Sequence, residues 1–175
     1  MTCYAVIDTN VLVSSLLTSN PDSAIAGIIN SIRDNAIIPM YDDHIMEEYS
    51  AVLRREKFNF DEGRVSRLIS LIRDKGLNCE RKTVEEFFPD PDDIVFYEVA
   101  MSREDSYLVT GNRRHFPKSG RVVSPAEMLY IIKYEGRAPD LLCEPESPYY
   151  LPIPIEEINS IIREFRAQRK QLIFR

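Results

Sequence analysis

Short continuous apolar runs and longer stretches with helical spacing of apolar residues succeed one another along the chain. Residues 4–7 are an uninterrupted run of the kind found in strands that are covered on both faces of a parallel sheet. Further on, Ile45, Tyr49 and Val52 recur at the spacing of one helix face. Since strands separated by helices form parallel sheets with right-handed crossovers, we predict an α/β fold with a central parallel sheet flanked by helices.

The turn and capping residues set approximate bounds for these elements. Ser124, Pro125 and Glu127 form the start of a helix, with a cap, a proline in the first turn and an acid three residues after the cap. Gly76 is expected to end the fourth helix. We predict strands at 4–7, 36–40, 79–84, 107–110 and 121–123, and helices at 10–17, 23–35, 44–56, through 65–72, and at 94–103, 124–134 and 155–169.

The composition changes after Gly136. Residues 138–154 contain five prolines and predict an extended connector. The helix beyond it has an apolar stripe and a basic end that could contact RNA. Because an isolated helix of this length is marginal in water, we expect the stripe to dock on its own domain or on a dimer mate. We predict a main domain at 1–136 and a tail at 137–175. The stripe consists of Ile158, Ile161, Ile162 and Phe165.

Size, charge and cysteine content narrow the class of protein. The chain has 175 residues and 44% hydrophobic residues, enough for one globular domain with a tail. No apolar stretch approaches the roughly 18 residues that cross a bilayer, so we expect no membrane association. Three widely spaced cysteines and an N-terminus unlike a secretory signal favour the cytoplasm. The net charge of -6 argues against non-specific duplex binding but not against an enzyme whose acids hold cations.

Several acids fall where a predicted strand ends or a predicted helix begins. Asp8 follows the first strand, Glu48 lies one turn into the helix after the second, and Asp93 opens the helix after a proline-rich loop. Asn112 follows the strand at 107–110. In a parallel sheet these points share one edge, where carboxylates would repel one another unless a hard cation neutralised them. The pattern therefore predicts a Mg²⁺ or Mn²⁺ site for phosphodiester chemistry.

Each of these residues taken alone has a simpler interpretation. Asp8 could cap the helix that starts at Asn10, and Glu48 could be a solvated helix residue. Asp90 and Asp93 could be turn and cap residues. The joint pattern, and not any single residue, favours a shared site.

Four segments, taken together and in this order, resemble the PIN domain family, especially the VapC-like toxins of type II toxin–antitoxin systems. The resemblance covers about residues 3–135 and is strengthened by two further matches, at 53–58 and 124–127. It implies a compact three-layer parallel α/β fold and a Mg²⁺- or Mn²⁺-dependent endoribonuclease. The four segments are Val6-Ile7-Asp8-Thr9-Asn10-Val11, residues 45–53, Asp90-Pro91-Asp92-Asp93 and residues 107–112.

The resemblance also implies a role for individual positions. The family's first three acids fall on Asp8, Glu48 and Asp93, as metal ligands, with Asp90 as a further acid whose role stays open. The fourth acid falls on Asn112, which is a departure that removes one charge and allows either one metal or two. A homodimer and an antitoxin partner are also implied. We expect the remaining polar residues to position water or phosphate, at Asn10 and Thr110, or to contact the RNA backbone, at Arg113, Arg114 and Lys118.

Two rival functions remain open from the sequence. A phosphotransferase of the haloacid-dehalogenase type would use Asp8 as nucleophile and require a second Asp two residues later, where Asn10 stands. A catalytically impaired PIN-like RNA-binding or scaffold protein is favoured by Asn112 and opposed by the three intact acids. Mg²⁺-dependent RNA cleavage that is lost on Asp8→Ala would distinguish the nuclease from both rival functions.

Overall fold

The computed structural model describes residues 2–134 and 153–173. Within them, five parallel strands form one sheet in the order β3-β2-β1-β4-β5. Cys3 of β1 lies opposite Ile37 of β2, and Tyr4 of β1 lies opposite Ser106 of β4. The predicted parallel α/β sheet is therefore confirmed. The strands are β1 (Cys3–Ile7), β2 (Ile37–Tyr41), β3 (Leu77–Asn78), β4 (Ser106–Val109) and β5 (Val122–Val123).

Helices flank the sheet on the part of the chain that the structure describes. The helix α5 packs on β1, β2 and β4, while α2 packs on β2 and on α6. Two single 3-10 turns, Pro91–Asp93 and Arg113–His115, precede α5 and β5. The helices are α1 (Thr9–Leu17), α2 (Ala24–Arg33), α3 (Asp43–Leu53), α4 (Glu62–Lys75), α5 (Ile94–Met101), α6 (Pro125–Lys133) and α7 (Ile155–Ile173).

Side-chain caps fix where several helices begin. Ser124 caps α6 in a full capping box, in which Glu127 accepts a hydrogen bond from the Ser124 backbone N–H. Ser23 accepts from the backbone N–H of Ala26 and starts α2. These local signals explain why the predicted helix starts agree with the structure to within a few residues.

The strand predicted at 79–84 is wrong. The observed edge strand is β3, two residues earlier, where Leu77 pairs with Met40. Beyond it the Cys79 N–H donates to Tyr41 at the end of β2, and the Lys82 N–H donates to the Glu98 carbonyl on α5. The backbone hydrogen bonds of this charged segment therefore lead it away from the sheet instead of extending the strand.

Gly76 ends α4, as predicted, but not through a left-handed conformation. Its φ of -99° is extended and open to other residues. A Cβ atom at this position would lie 2.5 Å from the carbonyl oxygen of Ile72 and 2.7 Å from that of Pro39. Glycine is needed here because the chain passes close to two backbone oxygens as it turns into β3.

The C-terminal helix α7 packs on α1 and α3 of its own domain. Ile158, Ile161 and Ile162 are buried, and Phe165 is partly buried against the same core. The predicted docking of the apolar stripe is confirmed. The proposed boundary at 136 and most of the proline-rich connector lie outside the described residues, so the division into two domains stays a prediction. No helix in the described ranges is both long and apolar enough to cross a membrane.

Candidate active site

Three acids from separate elements meet at the carboxyl edge of the sheet. Asp8 follows β1, Glu48 lies on α3 and Asp93 lies at the start of α5. Their exposed fractions are only 5%, 1% and 4%. Carboxylates are almost never this deeply buried unless they are paired. The structure therefore brings together the three acids that the sequence placed on one edge.

Asp8 accepts hydrogen bonds from the end of the neighbouring strand β4 and from the first turn of α1. Thr110 Oγ1 donates to Asp8 Oδ2 at 2.6 Å, and Asn10 Nδ2 donates to the same oxygen at 2.8 Å. Asn10 Oδ1 in turn accepts from the Gly111 N–H at 3.0 Å. Asn10 and Thr110 are thus used to orient Asp8, and their predicted role toward water or phosphate stays a prediction.

Glu48 is fixed from two directions. Thr9, the residue after Asp8, donates from Oγ1 to Glu48 Oε1 at 2.6 Å. The guanidinium of Arg166 on α7 donates from Nε to Oε2 and from Nη2 to Oε1, both at 3.0 Å. This two-point contact is the geometry that makes arginine–carboxylate pairs strong and directional.

Arg166 also reaches the two acids of the proline loop. Its Nη1 donates to Asp93 Oδ1 at 2.7 Å and to Asp90 Oδ2 at 3.1 Å. Asp90 additionally accepts from the Asp92 N–H, so it is both a turn residue and a member of the cluster. The Arg166 side chain is only 6% exposed and lies over the ring of Phe96. One guanidinium therefore bridges three carboxylates at the centre of the site.

Burial and charge shift the pKa values of the groups around Arg166. Burial, reinforced by Asp93, raises the pKa of Asp8 to about 6, although the Thr110 hydrogen bond opposes this. Burial alone would lower the pKa of Arg166, but Glu48 and Asp93 hold it above its ordinary value. The hydrogen bond to Asp93 raises the pKa of His115, whose Nδ1 lies 3.2 Å from Asp93 Oδ2. The cluster as a whole therefore favours bound cations and disfavours the ionised form of Asp8.

Asn112 and the basic loop take less part in this arrangement. The backbone N–H of Asn112 donates to Thr110 Oγ1, but within the described ranges its side chain makes no hydrogen bond to the three acids. Arg113 is ion-paired with Glu127 at 2.8 Å. Arg114 and Lys118 are exposed and line an open depression beside the site. The expected roles of these residues toward metal and RNA stay predictions.

The sequence analysis missed Arg166, Thr9 and His115 as members of the site. A signal for Arg166 was present in the helical spacing. Ile158, Ile162 and Arg166 are four residues apart, so the arginine continues the apolar stripe where a solvent-facing charge is not expected. A charge on the buried face of an amphipathic helix indicates a buried partner.

The chemistry of the donor set fits a hard divalent cation. Asp8, Glu48 and Asp93 offer carboxylate oxygens, the ligands that Mg²⁺ and Mn²⁺ prefer. Among the described residues, however, no three acid, histidine or cysteine side chains are close enough together to form a ready-made metal site. These acids are not closer together because the Arg166 guanidinium lies between Glu48 and Asp93. The three acids are therefore ligands of the right chemical type for a divalent metal, whereas their spacing in this structure suits a guanidinium.

Comparisons with known proteins agree with this architecture. A search of curated proteins and a search of solved structures returned no significant match. A family model described as PIN domain matches residues 4–114, which include Asp8, Glu48 and Asp93 and exclude α6 and α7. Because that match covers well over half of the sequence, the chain belongs to the PIN domain family.

Proposed function

We propose that this protein is a metal-dependent endoribonuclease and the toxin component of a type II toxin–antitoxin system. PIN domains are typically nucleases, and the family match includes the three acids. The observation that carries the proposal is the burial of Asp8, Glu48 and Asp93 together at the carboxyl edge of a parallel sheet, the edge where α/β folds bind ligands. Burying three carboxylates is costly unless they are paired or coordinate a metal; Arg166 pairs with two of them when α7 is docked, and a divalent cation would compensate all three in the active state.

Each residue of the cluster has a proposed task. Asp8, Glu48 and Asp93 would hold Mg²⁺ or Mn²⁺, which supplies charge stabilisation and water activation for phosphodiester hydrolysis. Thr110 and Asn10 keep Asp8 oriented, and Thr9 does the same for Glu48. A preoriented carboxylate loses less conformational freedom when a cation binds. The neutral oxygen of Asn112 would add a weaker ligand than the acid that the family places there.

The substrate and partner assignments extend this proposal. The exposed Arg114 and Lys118, beside the site, supply positive charge for an RNA backbone. Arg113 would join them only after releasing Glu127. A homodimer, a cognate antitoxin and a cytoplasmic location follow from the resemblance to VapC-like toxins and from the sequence, and they are proposed on those grounds.

The test compares two neighbouring aspartates. Purified protein should cleave single-stranded RNA when Mn²⁺ is present and stop when EDTA is added. Asp93→Asn should lower the cleavage rate by about a hundredfold or more, since it removes a ligand charge from the reacting centre. Asp92→Asn is the matched control, because Asp92 lies on the same turn but pairs with Lys170 of α7 and not with the acids of the site, so this variant should not lower the cleavage rate. Cleavage that persists in EDTA, or that Asp93→Asn leaves unchanged, would contradict the proposal.

A catalytically impaired RNA-binding or scaffold protein is the second candidate. Two observations favour it: Asn112 replaces an acid, and Arg166 fills the acidic cluster. This function predicts RNA binding that is retained without cleavage under any metal condition. The cleavage assay combined with an RNA-binding titration separates the two candidates.

A further inference from the structure

We propose that α7 is an autoinhibitory element of this site, in which Arg166 takes the place of the catalytic cation among Glu48, Asp90 and Asp93. Metal loading and access of RNA would then both require α7 to leave the site. This inference rests on the proposed nuclease function, because it names how that same site is regulated.

The contacts of Arg166 use the oxygens that a metal would need. Both oxygens of Glu48 and one oxygen of Asp93 accept hydrogen bonds from the guanidinium. A carboxylate oxygen directed at a guanidinium cannot at the same time coordinate a divalent cation with full strength. The two cations therefore compete for the same ligands, and each disfavours the other through like-charge repulsion.

The docked helix also closes the space above the acids. The cavity enclosed by Asp8, Asp93, Asn159, Ile162 and Arg166 has a volume of only about 10 Å³. That is roughly the space of one water molecule, so a phosphodiester does not fit. Asn159 Oδ1 on α7 further contacts Asn10 Nδ2 at 3.4 Å, next to Asp8. The docked state therefore leaves no room for substrate, while the guanidinium of Arg166 competes with metal for the acids.

Outside the buried isoleucines, the polar contacts of α7 are suited to reversible docking. Arg169 pairs with the exposed Glu47 at 2.6 Å, and Lys170 pairs with Asp92 at 2.9 Å. Pairs of this kind contribute little individually and weaken with salt. The helix follows residues 4–114, the segment matched by the family model, as do β5 and α6. Unlike α6, it places a buried charge in the acidic cluster, which is the property of an inhibitor.

The first experiment titrates Mn²⁺ into the full chain and two variants and measures binding by calorimetry. Arg166→Gln removes the competing charge and should tighten the apparent Mn²⁺ affinity by about tenfold or more, as expected if fewer than about one molecule in ten is undocked. Arg169→Gln is the matched control, because it removes one positive charge one turn away without touching the three acids. Its affinity should stay within about twofold of the unsubstituted chain. An Arg166→Gln affinity equal to that of the control overturns the proposal.

A second measurement needs no variant and uses hydrogen exchange of the unsubstituted chain. Saturating Mn²⁺ should speed exchange of α7 backbone amides and leave α6 amides unchanged. Greater protection of α7 in Mn²⁺ would overturn the proposal, because it would mean that the helix closes over bound metal as a permanent part of the site.

The RNA cleavage assay on the same proteins distinguishes this inference from the nuclease proposal. If Arg166→Gln binds Mn²⁺ more tightly but cleaves no RNA, the competition stands and the nuclease proposal fails. If the unsubstituted chain and Arg166→Gln cleave RNA at the same rate and bind Mn²⁺ with the same affinity, the nuclease proposal stands and autoinhibition fails. If no protein binds Mn²⁺, both fail.

Discussion

The helices α6 and α7 are both amphipathic, but they dock on the domain by different physical means. The α6 helix buries Met128 and Ile131 and begins with a local capping box. The α7 helix buries three isoleucines and one arginine, and that arginine contacts three carboxylates. Apolar docking depends only on the exclusion of water, whereas docking through a buried charge also depends on which other cations are present.

The α6 interface is an example of helix docking that does not depend on a bound cation. The α2 and α6 helices approach closely at Gly27, where a Cβ atom would lie 2.6 Å from Leu129 Cδ1. Such close approach of apolar surfaces is stabilised by hydrophobic burial and dispersion. Because none of these contacts involves an acid of the site, we expect metal to leave α6 in place.

The α7 interface combines the same kind of apolar burial with a costly buried ion cluster. Breaking a buried ion pair by removing one partner typically costs about 3–5 kcal/mol, because the other charge is left uncompensated. A divalent cation can supply that compensation instead of Arg166. The same acids therefore either hold α7 in place or release it, depending on the cation available.

The largest expected effect comes from matched isoleucines on the two helices. Ile131→Ala on α6 and Ile161→Ala on α7 each remove a residue that is 3% exposed. In EDTA both should lower the free energy of unfolding by about 2–4 kcal/mol, as typical core truncations do. In saturating Mn²⁺ only the Ile131→Ala cost should persist, because α7 is then undocked. Denaturant unfolding measures the free energy of unfolding of both variants in EDTA and in Mn²⁺. If the two variants lose equal stability in Mn²⁺, the proposed difference between the helices is wrong.

A smaller effect is expected from Asp8, which lies under α7. Its pKa is raised to about 6 from an ordinary value of 3.8. A raised carboxyl pKa destabilises the folded state as pH rises through this window, by on the order of 3 kcal/mol at most. In EDTA, Asp8→Asn should therefore gain stability relative to the unsubstituted chain between about pH 4 and 6, then level off.

The exposed Asp22 provides the control for that measurement. Asp22→Asn removes a surface carboxylate outside the site, and comparison of the two variants in thermal unfolding isolates the effect of Asp8. If Asp8→Asn is less stable than the unsubstituted chain even at pH 8, Asp8 acts mainly as the cap of α1, and burial of its charge is not a source of strain.

The smallest effect concerns the two histidines of the chain. Burial, and then Arg169 of α7, lower the pKa of His44, whereas Asp93 raises that of His115. Arg169→Gln should raise the pKa of His44 toward its ordinary value and leave that of His115 unchanged. Proton NMR of the imidazole signals measures both. A His44 pKa that does not move would show that the charge of Arg169 does not act on His44.

Much of the fold could be predicted because its signals are local. The apolar run before Asp8 fixed the central strand, and Ser124 and Glu127 fixed the start of α6. The edge strand β3 was misplaced because its pairing depends on where β2 ends and on the close passage of Gly76. Neither condition leaves a periodic pattern in the sequence.

The sequence by itself determined the parallel α/β architecture and the gathering of Asp8, Glu48 and Asp93 at one edge, because parallel strands must end on the same side. Only the tertiary structure decided what faces those acids. Arg166 is 118 positions from Glu48, and helical spacing shows that its side chain is buried but not which surface buries it. That choice depends on the shape of the groove between α1 and α3 and on the cost of leaving buried charges unpaired.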